Sequence, residues 1–66
     1  MEITVNGQPK TVPEKLFASS LINDCCVRPE LVICELNGAI LDRGRWAVTQ
    51  LNPLDTVELI ALVGGG

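Results

Sequence analysis

Few residues of this 66-residue chain can carry chemistry, and what is missing narrows the field first. There is no histidine. Ser–His and Cys–His nucleophile pairs are therefore excluded, because each needs an imidazole to take the proton. The three cysteines, Cys25, Cys26 and Cys34, have no C-x-x-C spacing, and without histidine they do not make a zinc site. An odd count with two neighbours adjacent is a poor disulfide framework. They read as small buried hydrophobes, with a vicinal redox pair at Cys25–Cys26 as the alternative. The carboxylates Glu2, Glu14, Asp24, Glu30, Glu35, Asp42, Asp55 and Glu58 are scattered singly. Such scatter reads as solvent-facing charge and not as acid–base pairs. No P-loop or dinucleotide fingerprint occurs.

One segment stands apart. Gly64-Gly65-Gly66 follows directly on an apolar, β-rich run, with nothing after it in the sequence. A frayed end is one reading of a glycine run. Two features oppose it. The run from Val57 to Val63 is apolar up to the glycines, which anchors them close to a core. Glycine also lets backbone enter a channel that any Cβ would block. The carboxylate of Gly66 is thus the candidate reacting group, presented on a flexible tail, 64–66, with Gly64 and Gly65 threading a partner's active site.

The bulk properties agree with a module that others act upon. A chain this short buries only about 60% of the surface its unfolded form exposes, which leaves little room for both a core and a catalytic cleft. Hydrophobic residues make up 47% and charged residues 20%, which suits one packed globule, 1–66, and not disorder. The net charge of -3 disfavours nucleic acid and favours a basic protein partner. No signal-like apolar stretch opens the chain and no run is long enough to cross a bilayer, so the expected location is the cytoplasm. The chain is expected to be a carrier, monomeric when free, and not an enzyme.

Elements to position that tail follow from local patterning. Met1–Val5 alternates apolar and polar residues as a strand does; Asn6-Gly7 is a tight-turn signal, and Lys10–Val12 is the returning strand. Pro13 suits a helix start, and Leu16, Phe17, Leu21 and Ile22 make one apolar stripe of a helix over 14–25. Ser19, Ser20 and Asn23 fall mostly on its wet side. Arg28-Pro29 stops it. Leu31–Leu36 and Ala39–Leu41 flank a second tight turn, Asn37-Gly38. Residues 42–50 read as irregular or a short helical turn around Trp46, and Thr56–Val63 as the last strand. The fold class is α+β: a mixed sheet of four to five strands with one main helix packed across one face. The first and last strands lie side by side in parallel, joined by a long crossover.

At this point the chain resembles a known family, the sulfur carrier proteins of thiamin (thiazole) biosynthesis, of the ubiquitin-like β-grasp type. The resemblance covers essentially the whole chain. It rests on Ile3-Thr-Val-Asn-Gly7, Leu36-Asn-Gly-Ala-Ile40, Arg43-x-x-Trp46, and Asp55-Thr-Val-Glu-Leu59 running into Val63-Gly-Gly-Gly66. The chain departs from the pattern at Cys25–Cys26 and at Asp42, where many relatives have proline. The resemblance implies that an E1-like adenylyltransferase uses ATP to adenylate the Gly66 carboxylate. A persulfide donor, such as a cysteine desulfurase, would convert it to a thiocarboxylate that delivers sulfur to thiazole synthase. No cofactor or metal of its own is implied. Alternatives are a carrier for another client (the small subunit of molybdopterin synthase, or a carrier for cysteine or other sulfur metabolites) and a β-grasp interaction module with an inert tail.

Strand parity adds an expected docking face. If Glu58 faces water, then Val57, Leu59 and Ala61 point to the core while Ile60 and Leu62 point out. Glu35 sets the earlier strand in the same way: Val32, Cys34 and Leu36 inward, Ile33 outward. Ile33, Ile60 and Leu62 would then form one apolar patch beside the tail, either a partner-binding surface or ordinary surface hydrophobicity. Trp46 is expected to cap the core, with a partner contact as the alternative, and Arg43 and Arg45 are expected to be solvated.

Overall fold

The computed structural model describes residues 1–62. The Asn-Gly pairs set its first features. Asn6 and Gly7 have φ of 51° and 81°, and Asn37 and Gly38 have φ of 52° and 87°. Left-handed φ at both central residues is the geometry of the two-residue turn whose twist matches paired strands. The first turn joins β1 (Glu2–Val5) to β2 (Gln8–Thr11), and the second joins β3 (Val32–Leu36) to β4 (Ala39–Leu41). Pro9 lies within β2, where its missing N–H is harmless because β2 is an edge strand.

Between the hairpins lies β5 (Thr56–Ala61), and the sheet order is β2-β1-β5-β3-β4. β5 runs parallel to β1 and antiparallel to β3, so the expected side-by-side arrangement of first and last strands holds. Both turn asparagines bind this strand. Asn6 Oδ1 accepts from the Leu59 amide at 2.7 Å, and Asn37 Oδ1 accepts from the Thr56 amide at 2.9 Å.

The one α-helix among the described residues, α1, spans Ala18–Cys25, four residues shorter at its start than the sequence suggests. The reason is local. Lys15 adopts a left-handed φ of 62°, and residues 16–18 pair with the segment before β5 instead of coiling. The Leu51 amide donates to Leu16 O and the Ala18 amide to Thr49 O, each at 2.8 Å. Phe17 is consequently extended, bridges Gln50, and stays 38% exposed instead of joining the helical stripe. Ser19 is partly covered, whereas Ser20 and Asn23 are exposed as expected. Ala18, Leu21 and Ile22 pack with Ile3, Val12, Cys34, Trp46, Leu51 and Val57 into one core.

Two 3₁₀ segments, Pro29–Leu31 and Arg43–Val48, complete the chain. The second holds Trp46, which is buried and donates from Nε1 to Leu41 O at 3.1 Å, so it does seal one end of the core. Arg43 is not simply solvated. Its guanidinium lies 4.6 Å from the centre of the Trp46 ring and donates to Pro29 O and Val32 O, both at 3.0 Å. The Arg43-x-x-Trp46 motif thus locks this segment onto the start of β3.

Asp55 is also a correction, because it is buried. It accepts from Asn37 Nδ2 at 3.0 Å and from the Asn52 amide at 2.8 Å, fixing the loop that launches β5. Among the described residues no helix is long and apolar enough to cross a membrane.

Candidate functional site: the open sheet face at the end of β5

Register, not sequence distance, assembles this face. Ile33 stands directly opposite Ile60, and Glu35 opposite Glu58. One step further the Leu62 amide donates to Leu31 O at 2.7 Å, continuing the ladder past the strand's end. Alternation then sorts the side chains. Val57 and Cys34 are buried in the core with α1, Val32 is buried too, and Leu59 and Leu36 are partly buried against that core. Glu58, Ile60 and Leu62 are exposed on the opposite side, the two apolar ones at 45% and 56%. Ile33 is half-buried there. The parity argument therefore places Ile33, Ile60 and Leu62 where the sequence suggested.

Ala61 is the exception, exposed although its parity is inward. It lines an open groove of about 730 Å³ at the C-terminal end of α1. Cys25, Cys26, Arg28, Leu31 and Leu59 line the same groove. The cysteines divide accordingly. Cys34 is a core residue and Cys26 packs against the core, but Cys25 is exposed, against the expectation that all three are buried. Burial pushes the Cys34 thiol up from its ordinary value, with smaller contributions from Cys26 and Glu35. Burial likewise raises Cys26, helped by Cys25.

Two features of the face escape a reading of single strands. Ile40, 68% exposed, stands opposite Glu35 and extends the apolar surface across β4. Counting outward from the two-residue turn at Asn37-Gly38 would have found it, since that turn pairs Leu36 with Ala39 and Glu35 with Ile40. The second is the direct juxtaposition of Glu35 and Glu58, which needs the β3–β5 register and is invisible to either strand alone.

The body offers little chemistry of its own. Among the described residues no group of three His, Cys, Asp or Glu side chains is placed to hold a metal. The buried carboxylate, Asp55, has both oxygens engaged by Asn37 and Asn52. Gly64, Gly65 and Gly66, together with Val63, lie outside the described residues.

A five-stranded mixed sheet in this order, with one helix across one face, defines a ubiquitin-like β-grasp domain. More narrowly, the chain belongs to the ThiS family, whose model matches residues 3–66. It is similar over its full length to the crystal structure of a thiamine biosynthesis protein (ThiS) from Geobacter metallireducens, with 38% identity, complete coverage of both chains and a TM-score of 0.87. An NMR structure of a thiamine biosynthesis protein from the same organism matches with a TM-score of 0.81 and 38% identity, covering all of this chain and 88% of that one. The uncharacterized protein ycf40 of Porphyra purpurea is 33% identical over 66 residues, all of this chain and 93% of that protein. A thiazole synthase of Magnetococcus marinus is 30% identical over 66 residues, which make up 20% of its length.

Proposed function

We propose that the protein is a sulfur carrier of thiamin biosynthesis whose reacting group is the carboxylate of Gly66. The observation that carries this reading is the placement of β5. It is the central strand, bonded on both sides and pinned by two asparagines; it carries Ile60 on the apolar open face and precedes the glycine run in the sequence. A rigid strand followed by residues without Cβ suits delivery of a terminal carboxylate into another protein's active site.

A carboxylate is a poor electrophile. An E1-like adenylyltransferase would let its oxygen attack the α-phosphorus of ATP, expelling pyrophosphate and leaving an acyl adenylate. The terminal sulfur of a persulfide donor, such as a cysteine desulfurase, then attacks the acyl carbon and AMP leaves. A thiol then attacks the donor-side sulfur of the resulting acyl disulfide, forming a disulfide with the donor and releasing the thiocarboxylate on Gly66. The acid–base groups come from the partners, so the carrier acts as a co-substrate in the cytoplasm and not as a catalyst. Similarity to a segment of a protein named thiazole synthase supports thiazole synthase as the acceptor. Ile33, Ile60 and Leu62 are the surface the activating enzyme would grip, with Gly64 and Gly65 in its channel.

The test is mass spectrometry of the intact protein after incubation with an E1-like adenylyltransferase, ATP and a persulfide donor. One oxygen is expected to be replaced by sulfur. Deleting Gly66, or adding one residue after it, is expected to abolish the change and leave the fold intact, since a misplacement of even about 1 Å costs on the order of 10²-fold in rate. An extended variant that loads untrimmed at the normal rate would falsify the reading.

A further inference from the structure

Glu35 and Glu58 stand directly opposite each other on adjacent strands of the open face. Side chains so paired have Cβ atoms about 5 Å apart, and like charges in that relation destabilise a sheet. Among the described residues no ion pair engages either carboxylate. The cross-strand neighbour of Glu35 on its other side is Ile40, and the backbone of β5 beside Glu58 meets the Asn6 side chain. The ion pair found among the described residues joins the Met1 amino group to Glu14, on neither strand. The two carboxylates are flanked by Ile33, Ile60 and Ile40, which are half-buried or exposed.

Like charges opposed on neighbouring strands and ringed by apolar side chains are a local conflict on the open face. Such conflicts are expected where a partner resolves them. From this we infer that the open face is built to receive one arginine of the activating enzyme, set among apolar side chains, with its guanidinium bridging Glu35 and Glu58. A guanidinium has five donors in a planar fork and can serve two carboxylates at once, which a point-like ammonium does less well. A second copy of this chain does not fit. Each copy carries a net charge of -3, and paired faces would set glutamates against glutamates. The inference rests on the carrier reading and adds to it the chemistry of the partner's docking surface.

The experiment measures adenylation as ATP–pyrophosphate exchange by the purified activating enzyme, across a series of salt concentrations, alongside the melting temperature of each carrier. Wild-type protein that supports no exchange at all removes the carrier reading itself. Given exchange, Glu35→Gln and Glu58→Gln are each expected to raise KM by about tenfold at low salt with kcat nearly unchanged. The double variant is expected to lose the salt dependence of KM. Each substitution relieves the repulsion, so the melting temperature is expected to rise by about 1–3 °C. Glu58→Lys, which gives Glu35 an opposite charge within the chain, is expected to raise it further and weaken docking most. Unchanged KM at low salt overturns the inference, and so does a fall in melting temperature in the Gln variants, because the carboxylates would then be satisfied within the chain.

Discussion

Arg43 is more than surface charge. Its two hydrogen bonds reach carbonyls on either side of the second hairpin's entry, and its guanidinium covers the Trp46 ring. Removing it takes one donor from Pro29 O, which keeps the Val32 amide, takes another from Val32 O, and uncovers the indole that seals the core. Arg43→Ala is expected to lower stability by about 1–2 kcal/mol. Arg43→Lys should recover less than half of that, because an ammonium cannot donate to two divergent carbonyls while lying flat on a ring. Chemical denaturation of the three proteins measures both. Full recovery by lysine would reduce the residue to a charge. The cysteines give a second expectation at this scale. Folding raises the pKa of Cys34, so above its ordinary value of 9.0 the folded state holds a proton that the unfolded state releases. That contribution to stability is complete below pH 9 and is lost as pH rises through the folded value. Cys34→Ala should lower stability at neutral pH yet flatten the alkaline decline, readable in melting curves from pH 7 to 11. A cysteine-free variant that remains folded should still accept sulfur, because none of the three thiols belongs to the proposed reacting group.

Among the elements, β5 decides what the molecule presents. Because Ile60 lies opposite Ile33 and away from α1, Ile60→Asp is expected to weaken adenylation through KM and move the melting temperature by no more than a few degrees. An unfolded variant would mean that the face is part of the core. How far such elements are legible beforehand depends on the range of the interactions that define them. The tight turns and strand parity are local, so Asn-Gly pairs and single glutamates disclosed them. The start of α1 is not local. Leu16 and Phe17 have helical spacing, yet the segment 49–51 captures their backbone, and no window around residue 16 contains that competitor. The burial of Asp55 and the hydrogen bonds of Arg43, which is exposed as expected, escape the sequence for the same reason. Their partners are Asn37, Pro29 and Val32, reached only after the chain has folded. In the candidate site, the outward isoleucines were legible from alternation, whereas the opposed glutamates required a register set by two hairpins at once.

On the scale of the whole molecule, the sheet order places the two hairpins on either side of a gap that only β5 fills. A chain leaving the ribosome therefore carries β1–β2 and β3–β4 as separate units that share no sheet contact, and isolated hairpins are marginal in water. Thr4 must wait for Thr56, and Leu36 for Val57, before the long-range pairing that closes the core can form. Val57 enters that core at 1% exposure, so folding is not complete until the last strand has been made. A product that stops before β5 lacks the strand that joins the two hairpins, and with it the open face that Ile33 and Ile60 share. The central strand makes synthesis through residue 61 a condition of displaying that face.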